Sequence, residues 1–382
     1  MVSAALVLRS FINLAAVYPG YEAAGVLTFQ LVAPPGRDVQ ALSRELRERL
    51  ASAPGVEAVA IADRLPMMGR CGTVFLRRTP ETGAGPPPPP GPSGGGQPQF
   101  PSVAVVSPNF TQVMRTRIVD GRGLLDTDVA GSPNAMLINQ SVARSGYLGT
   151  HPVGTEVYAI GSMPWRIVGV VEDMRQTGLD QAAGPEVFIP VDQLPRHAPG
   201  RSTVSPFFVV RTAVPPTSTV PAIRSLVAGY DAQLGLDRLA AMDEIVSDTL
   251  VRPKFFATLL GAFAGIAWAL AVTGIYGVLA FMVRQRRREI GIRMSLGATR
   301  AGILTLVLRE GGLLATAGVV LGLAASAVVT RSLSSLLFGL TPLDASTYLG
   351  VALSFGLVAT LASYVPARRA TRVDPVTALR NE

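Results

Sequence analysis

The chain has 382 residues, enough for two or three domains, with 48% hydrophobic and 16% charged residues, against the ~25% charged residues of soluble domains. Its formal charge of +8 does not point to nucleic acid, because bases and acids balance at 21 each between Tyr18 and Lys254 and the excess lies beside the apolar runs rather than on a folded face. A single cysteine, Cys71, excludes an internal disulfide, and the one lysine, Lys254 in RPKFF, excludes a Walker A loop, which needs a lysine after glycine.

Residues 1–17, MVSAALVLRSFINLAAV, are apolar but interrupted by Arg9. They fall short of the ~20 residues of a full span and have no basic stretch ahead of the apolar run, as a signal peptide would. They read as the outer end of a transmembrane helix whose beginning is missing; the alternative is a short amphipathic helix.

Residues 18–250 have the pattern of an α+β domain. Val26 to Val32 is a predicted strand. Asp38 is placed to cap a helix whose Val39, Leu42, Leu46 and Leu50 form one stripe. Val56 to Ile61 is a second strand, so the three make a β-α-β unit that buries one face of a sheet. Arg78 to Pro98 holds five consecutive prolines and a GGG run, which predicts a disordered surface insert. The G-x-S-x-G pattern beginning at Gly91 lies inside that insert, with no strand before it or helix after it, and carries no hydrolase reading. Later strands are predicted at Ser102–Val106, Ala135–Asn139, Trp165–Val171, Val187–Pro190 and Phe207–Thr212, with Trp165 in the core or on a sheet face and ligand stacking as the alternative. The two histidines, His151 and His197, read as loop residues, and with one cysteine no His/Cys zinc cluster can be assembled. Pro221 to Ala232 reads as a helix. Arg238 to Leu250 places Leu239, Met242, Ile245, Thr249 and Leu250 at helical spacing, a stalk leading to a bend at Pro253.

Phe255 to Val283 is 29 residues without a charge. As a helix it runs about 43 Å, longer than the ~30 Å hydrocarbon core. Ile303–Thr330 and Ser346–Val365 are the second and third spans. Arg309 and Glu310 read as anchors near an interface, where a charge costs less than at mid-bilayer, with an ion pathway as the alternative. Glycine pairs four apart, Gly261 with Gly265 and Gly318 with Gly322, allow close helix approach. Between the first two spans lies VRQRRREIGIRMSLGATR (Val283–Arg300), six arginines against one acid, Glu289. Arginine enrichment beside spans marks the cytoplasmic side, and the tail, with Arg368, Arg369, Arg372 and Arg380, falls on that same side. Residues 18–250 then lie outside the cytoplasm. On a helix Ile290 and Met294 point one way, and Ile292 and Leu296 nearly the other. One reading is a helix held between membrane and partner; the other is an ordinary basic loop.

Two motifs carry a family resemblance. RRREIGIRMSLGAT (Arg286–Thr299) and YVPARRATRVDPVTALR (Tyr364–Arg380) resemble the FtsX-like permease domain of the MacB class of ABC transporters. VSPNFTQVM, DGRGLLDTD, INQSVAR, WRIVGVVEDMRQTGL and PEVFIPVDQ resemble the extracytoplasmic core domain of the same family, most closely in its duplicated orphan permeases. Together they cover nearly the whole chain.

The resemblance implies an α+β extracytoplasmic domain of mixed sheets with helices (18–250, insert at 78–98). It joins an all-α transmembrane bundle (251–382) of three complete helices, with residues 1–17 as the remnant of a first. It implies a multi-pass protein of the bacterial plasma membrane, surrounded by lipid, that is neither an enzyme nor a cofactor carrier. A separate ATPase subunit would bind the segment Arg288, Glu289, Ile290, Gly291, Ile292, Arg293, Met294, Leu296, Gly297, Ala298 and Thr299. Two permeases and two ATPase subunits would couple ATP hydrolysis to the outer domain, in efflux or in mechanotransmission to a partner outside. The alternative is a membrane scaffold that regulates an extracytoplasmic enzyme and moves no substrate.

Overall fold

The structure is a computed structural model. It describes residues 1–69, 72–74, 76–78, 100–160, 163–194, 205–286, 289, 292, 296, 299–332, 338–341 and 343–370. By internal contact the chain separates into two compact units, one taking Met1–Ala16 and Val251–Glu382, the other Val17–Leu250.

The first unit is helical. It contains α1 (Val2–Ala15) and, numbered in chain order over the whole protein, α7 (Val251–Gln285), α8 (Arg300–Ser332) and α9 (Ala345–Ala370). Among the described residues two stretches are long and apolar enough to cross a membrane, Val251–Met282 and Ala345–Ala362. Thr316–Arg331, within α8, is a shorter apolar helix, as is α1. Helix α1 packs against α7, α8 and α9, and α8 packs against α9.

The second unit is built on one mixed sheet. Its elements are β1 (Val26–Val32), α2 (Val39–Ala51), β2 (Val56–Ala62), β3 (Ser102–Val106), α3 (Phe110–Val113), β4 (Ile118–Gly121), β5 (Ala135–Asn139), α4 (Gln140–Arg144), β6 (Glu156–Ala159), β7 (Met163–Val171), β8 (Glu186–Pro190), β9 (Phe207–Thr212), α5 (Pro216–Tyr230), β10 (Gly235–Ala241) and α6 (Met242–Thr249). The strand order is β10-β1-β9-β2-β3-β8-β5-β7-β4, with β6 on β7.

This sheet divides into two lobes. In lobe one β10, β1, β9 and β2 are antiparallel neighbours. With α2 and α5 crossing over, they form a split β-α-β pair of the ferredoxin-like kind, into which lobe two is inserted between β2 and β9. Asp38 caps α2 as expected, its Oδ1 accepting from the amides of Gln40 and Ala41 at 3.2 Å. Leu42, Leu46 and Leu50 then pack with Leu27, Phe29, Val59, Phe208 and Ile223 in one buried core. Each such side chain contributes about 1.5–3 kcal/mol by burial. Phe29 stacks on its cross-strand neighbour Phe208 with centroids 5.0 Å apart. Lobe two has a separate core around Trp165, Met136, Ile138, Ile167, Val187 and Ile189. Trp165 is fully buried, and its indole nitrogen donates to the Ala159 carbonyl at 3.3 Å. Between the lobes β2 and β3 pair at one register position, Ala62 with Val106.

Three expectations are corrected. Residues Arg238–Ala241 are strand, not stalk helix: Ala240 and Ala241 pair with Thr28 and Leu27 along the edge of β1, and that ladder outweighs a helical spacing of apolar side chains. Helix in this stretch is confined to the shorter α6. The helix breaks at Leu250 rather than at Pro253 itself, because a proline cannot donate to the carbonyl four residues earlier, that of Thr249. Helix α5 starts at Pro216, five residues before the predicted Pro221, because proline is favoured in the first turn. Residues 79–98 of the predicted insert lie outside the described residues.

Candidate functional site

The basic segment follows α7. Its described members are Arg286, Glu289, Ile292, Leu296 and Thr299. The Arg286 amide donates to Met282 at 3.1 Å, continuing the last turn of α7, and the Leu296 amide donates to Ile292 at 3.1 Å, a single helical turn. That turn carries apolar side chains outward: Ile292 is 42% exposed and Leu296 82%. Thr299 closes the segment, its Oγ1 accepting from the Gly302 amide at 3.2 Å in the first turn of α8. Arg288, Ile290, Gly291, Arg293, Met294, Gly297 and Ala298 lie outside the described residues.

Arg9, the charge that interrupts the apolar N-terminal run, has partners. Its Nη1 donates to Asp344 at 2.7 Å, to Thr347 at 3.3 Å, and to Ser346. Asp344 also caps α9, accepting from the Thr347 amide at 2.9 Å and its hydroxyl at 2.6 Å. Hydrogen bonds from Thr347 and Ser346, with the Arg9 charge, hold the Asp344 carboxyl down at about 2. Two further bonds fix α1: Ser3 to Thr330 at 3.4 Å, and the Phe338 amide to Ser10 Oγ at 2.6 Å.

In the second unit, periodicity alone did not reveal the charged groups buried at the lobe junction. Arg64, just past β2, donates to Glu186 at 3.0 Å and to the Val103 carbonyl at 2.7 Å. Gln176 donates to the other Glu186 oxygen at 2.6 Å. Asp63 accepts from the Val105 amide at 3.0 Å. Burial pushes Glu186 up to about 7 against the pull of Arg64, and pushes Asp63 up to about 6. The available signal was Glu186 next to the apolar run VFIP, and Arg211 inside the apolar strand FFVVRT. The motif DGRGLLDTD is structural: Arg122 makes a bidentate pair with Asp128 at 2.8 and 3.0 Å, and Asp128 also accepts from the Leu125 amide at 2.9 Å. Among the described residues no three His, Cys, Asp or Glu side chains gather as a metal site requires.

Residues 4–229 match the family described as the MacB-like periplasmic core domain, and residues 261–375 match the FtsX-like permease C-terminal domain. An uncharacterized ABC transporter permease, YknZ of Bacillus subtilis, is 27% identical over 72% of this chain and 69% of its own length. A macrolide export ATP-binding/permease protein, MacB of an Azoarcus species, is 28% identical over 72% of this chain and 42% of its own length. The pyoverdine export ATP-binding/permease protein PvdT of Pseudomonas putida is 27% identical over the same 72%, and again 42% of its own length. The match thus spans less than half of these two export proteins. Among solved structures, the periplasmic region of MacB from Actinobacillus actinomycetemcomitans aligns with 61% of this chain and 95% of its own, at 14% identity and a TM-score of 0.39.

Proposed function

The chain belongs to the family of MacB- and FtsX-like ABC transporter permeases, and from that membership we propose that it is the membrane subunit of an ABC system driven by a separate ATPase. The segment Arg288–Thr299 receives that ATPase on the cytoplasmic face. Residues 18–250 stand on the opposite side, and α7, α8 and α9 span the bilayer. Two copies of the permease pair with two ATPase subunits. Dimerisation of the ATPase on binding ATP shifts the helices, and the second unit changes shape in response, in efflux or in mechanical signalling to a partner outside.

The observation that carries this reading is Leu296, a large apolar side chain 82% exposed within a segment rich in arginine. Arginine on both flanks favours the cytoplasmic side of the bilayer. A protein partner with an apolar groove and an acidic rim is the natural cover for such a turn.

The test is co-purification. Tagged full-length chain is extracted from its native membranes in mild detergent, alone and as the Ile292→Asp/Leu296→Asp variant. The wild-type chain brings down an ABC ATPase, and the variant loses it by at least about tenfold, the equivalent of ~1.4 kcal/mol. Equal recovery of the ATPase with both chains overturns the assignment of the segment.

A further inference from the structure

Between α1 and β1 the chain runs through a strap, Val17–Gly25, that belongs to neither core cluster yet is bonded to both lobes. On lobe two the Arg175 amide donates to the Pro19 carbonyl at 2.9 Å. Gly20 lies so close to the loop after β7 that a Cβ on it would sit 2.1 Å from the Asp173 carbonyl oxygen. Its φ of +91° is open to glycine and strained for other residues. On lobe one the Thr212 amide donates to the Gly25 carbonyl at 2.8 Å.

Arg211 makes the second hold on lobe one. Side chains alternate along β9, so Arg211 points away from the face that Phe208 and Val210 give to the core, toward the face that α3 touches. It is 5% exposed. Its guanidinium spreads over three carbonyls: Nε to Val113 at 2.5 Å, Nη1 to Ala24 at 3.1 Å and Nη2 to Glu22 at 2.9 Å. Burial first, and then the like charge of Arg115, hold it below its ordinary value. A buried cation is costly to place, and lobe one closes its core without this one. Two of its three bonds go to the strap. Arg115 Nη1 donates to both oxygens of the Glu22 carboxylate at 3.0 Å.

We propose that the strap divides a displacement of α1 between the two lobes, with Arg211 as the positioning residue for lobe one and Gly20 for lobe two. The lobes share one short stretch of ladder, Ala62 opposite Val106, with the Ser107 amide on the Ile61 carbonyl at 2.8 Å, the Asp63 amide on the Val105 carbonyl at 2.9 Å and the Arg64–Glu186 pair beside them, and a strap seated on both lobes can change the angle about that stretch. The proposal rests on the coupling reading above and adds the route by which motion reaches the second unit.

The strap carbonyls supply their own reporters, the amides of Arg175 and Thr212. The full chain, with the ATPase that co-purifies with it, is placed in lipid nanodiscs. Amide exchange is read by mass spectrometry with ADP and with ATP plus vanadate. In the wild type both amides change exchange rate between the two states by about fivefold or more. Arg211→Met keeps the nucleotide response at Arg175 and loses it at Thr212. Gly20→Ala does the reverse. A purely structural role would raise exchange equally in both nucleotide states. Such a uniform rise, an intact response at both amides in both variants, or loss of both responses together, overturns the proposal. If Arg211→Met fails to fold, seen as lost protection at Ile61 and Ile167 alike, Arg211→Lys takes its place and gives a partial loss at Thr212 alone. A wild type with a bound ATPase but no response at either amide removes the coupling reading itself, and the proposal with it.

Discussion

Replacing Tyr21 by phenylalanine stabilises the second unit. Tyr21 is 1% exposed in the strap, and its hydroxyl has no hydrogen-bond partner among the described residues. Burial alone raises the phenol above its ordinary value, so it stays neutral at physiological pH and no ionic partner is implied. Leaving a buried hydroxyl unsatisfied costs about 1–3 kcal/mol. Tyr21→Phe removes that oxygen and keeps the ring, so the gain is of the same order, less a small loss of contact. With a urea slope of about 2 kcal/mol/M the midpoint rises by roughly 0.5–1.5 M. The assay is urea unfolding of the full chain in nanodiscs with Trp268→Phe as background, leaving Trp165, fully buried in lobe two, as the single fluorophore. Tyr230→Phe is the control of opposite sign, because its hydroxyl donates to Glu45 at 2.6 Å. A midpoint that falls by 0.5 M or more in Tyr21→Phe, about 1 kcal/mol by the same slope, would show that the hydroxyl is satisfied and refute the reasoning.

Other outcomes follow from the same geometry and are read in the same assay. Asp38→Ala removes the acceptor of two helix amides and lowers stability by about 0.5–2 kcal/mol, while Asp38→Asn restores most of it; equal loss in both would deny the cap. Leu46→Ala opens a cavity between α2 and the sheet and costs about 3–5 kcal/mol; a cost under about 1 kcal/mol would mean that this helix is not seated as described. Acidity stabilises the lobe junction. Asp63, near 6, and Glu186, near 7, lie above their ordinary values of 3.8 and 4.5. The folded chain therefore binds protons that the unfolded chain releases. Their contribution is fully present below about pH 4 and lost as pH rises through 6 and 7. Stability rises between pH 8 and pH 5, and the Asp63→Asn/Glu186→Gln variant flattens that rise. A wild type that loses stability over this window contradicts it.

What was legible in the chain was local. β1, β3, β5 and β9 fall on their predicted residues because β-branched and aromatic runs bounded by turn residues need no distant partner to be recognised. The Asp38 cap was readable for the same reason. What escaped depended on contacts far along the chain. β10 carries apolar residues at helical spacing and is a strand only because β1, some two hundred residues earlier, presents a free edge. β4 and β6 are four residues each and owe their existence to β7. The charged groups were legible only as anomalies. Arg9 in an apolar run, Arg211 in an apolar strand and Glu186 at the start of another each signalled a partner, but its identity lay in the tertiary structure. For the basic segment the proposal of a protein partner rests on the arginines of the sequence and on the exposure of Ile292 and Leu296. The residues between them carry the proposal as sequence alone.

The central claim is that the basic segment and the second unit lie on opposite sides of one membrane. Thiol labelling decides it. With Cys71→Ser as background, cysteines are placed singly at Ser52, exposed at the end of α2, and at Leu296. An impermeant maleimide applied to intact cells labels Ser52→Cys, and labels Leu296→Cys only after the inner membrane is permeabilised. Labelling of Leu296→Cys in intact cells, or of both positions only after permeabilisation, contradicts the account.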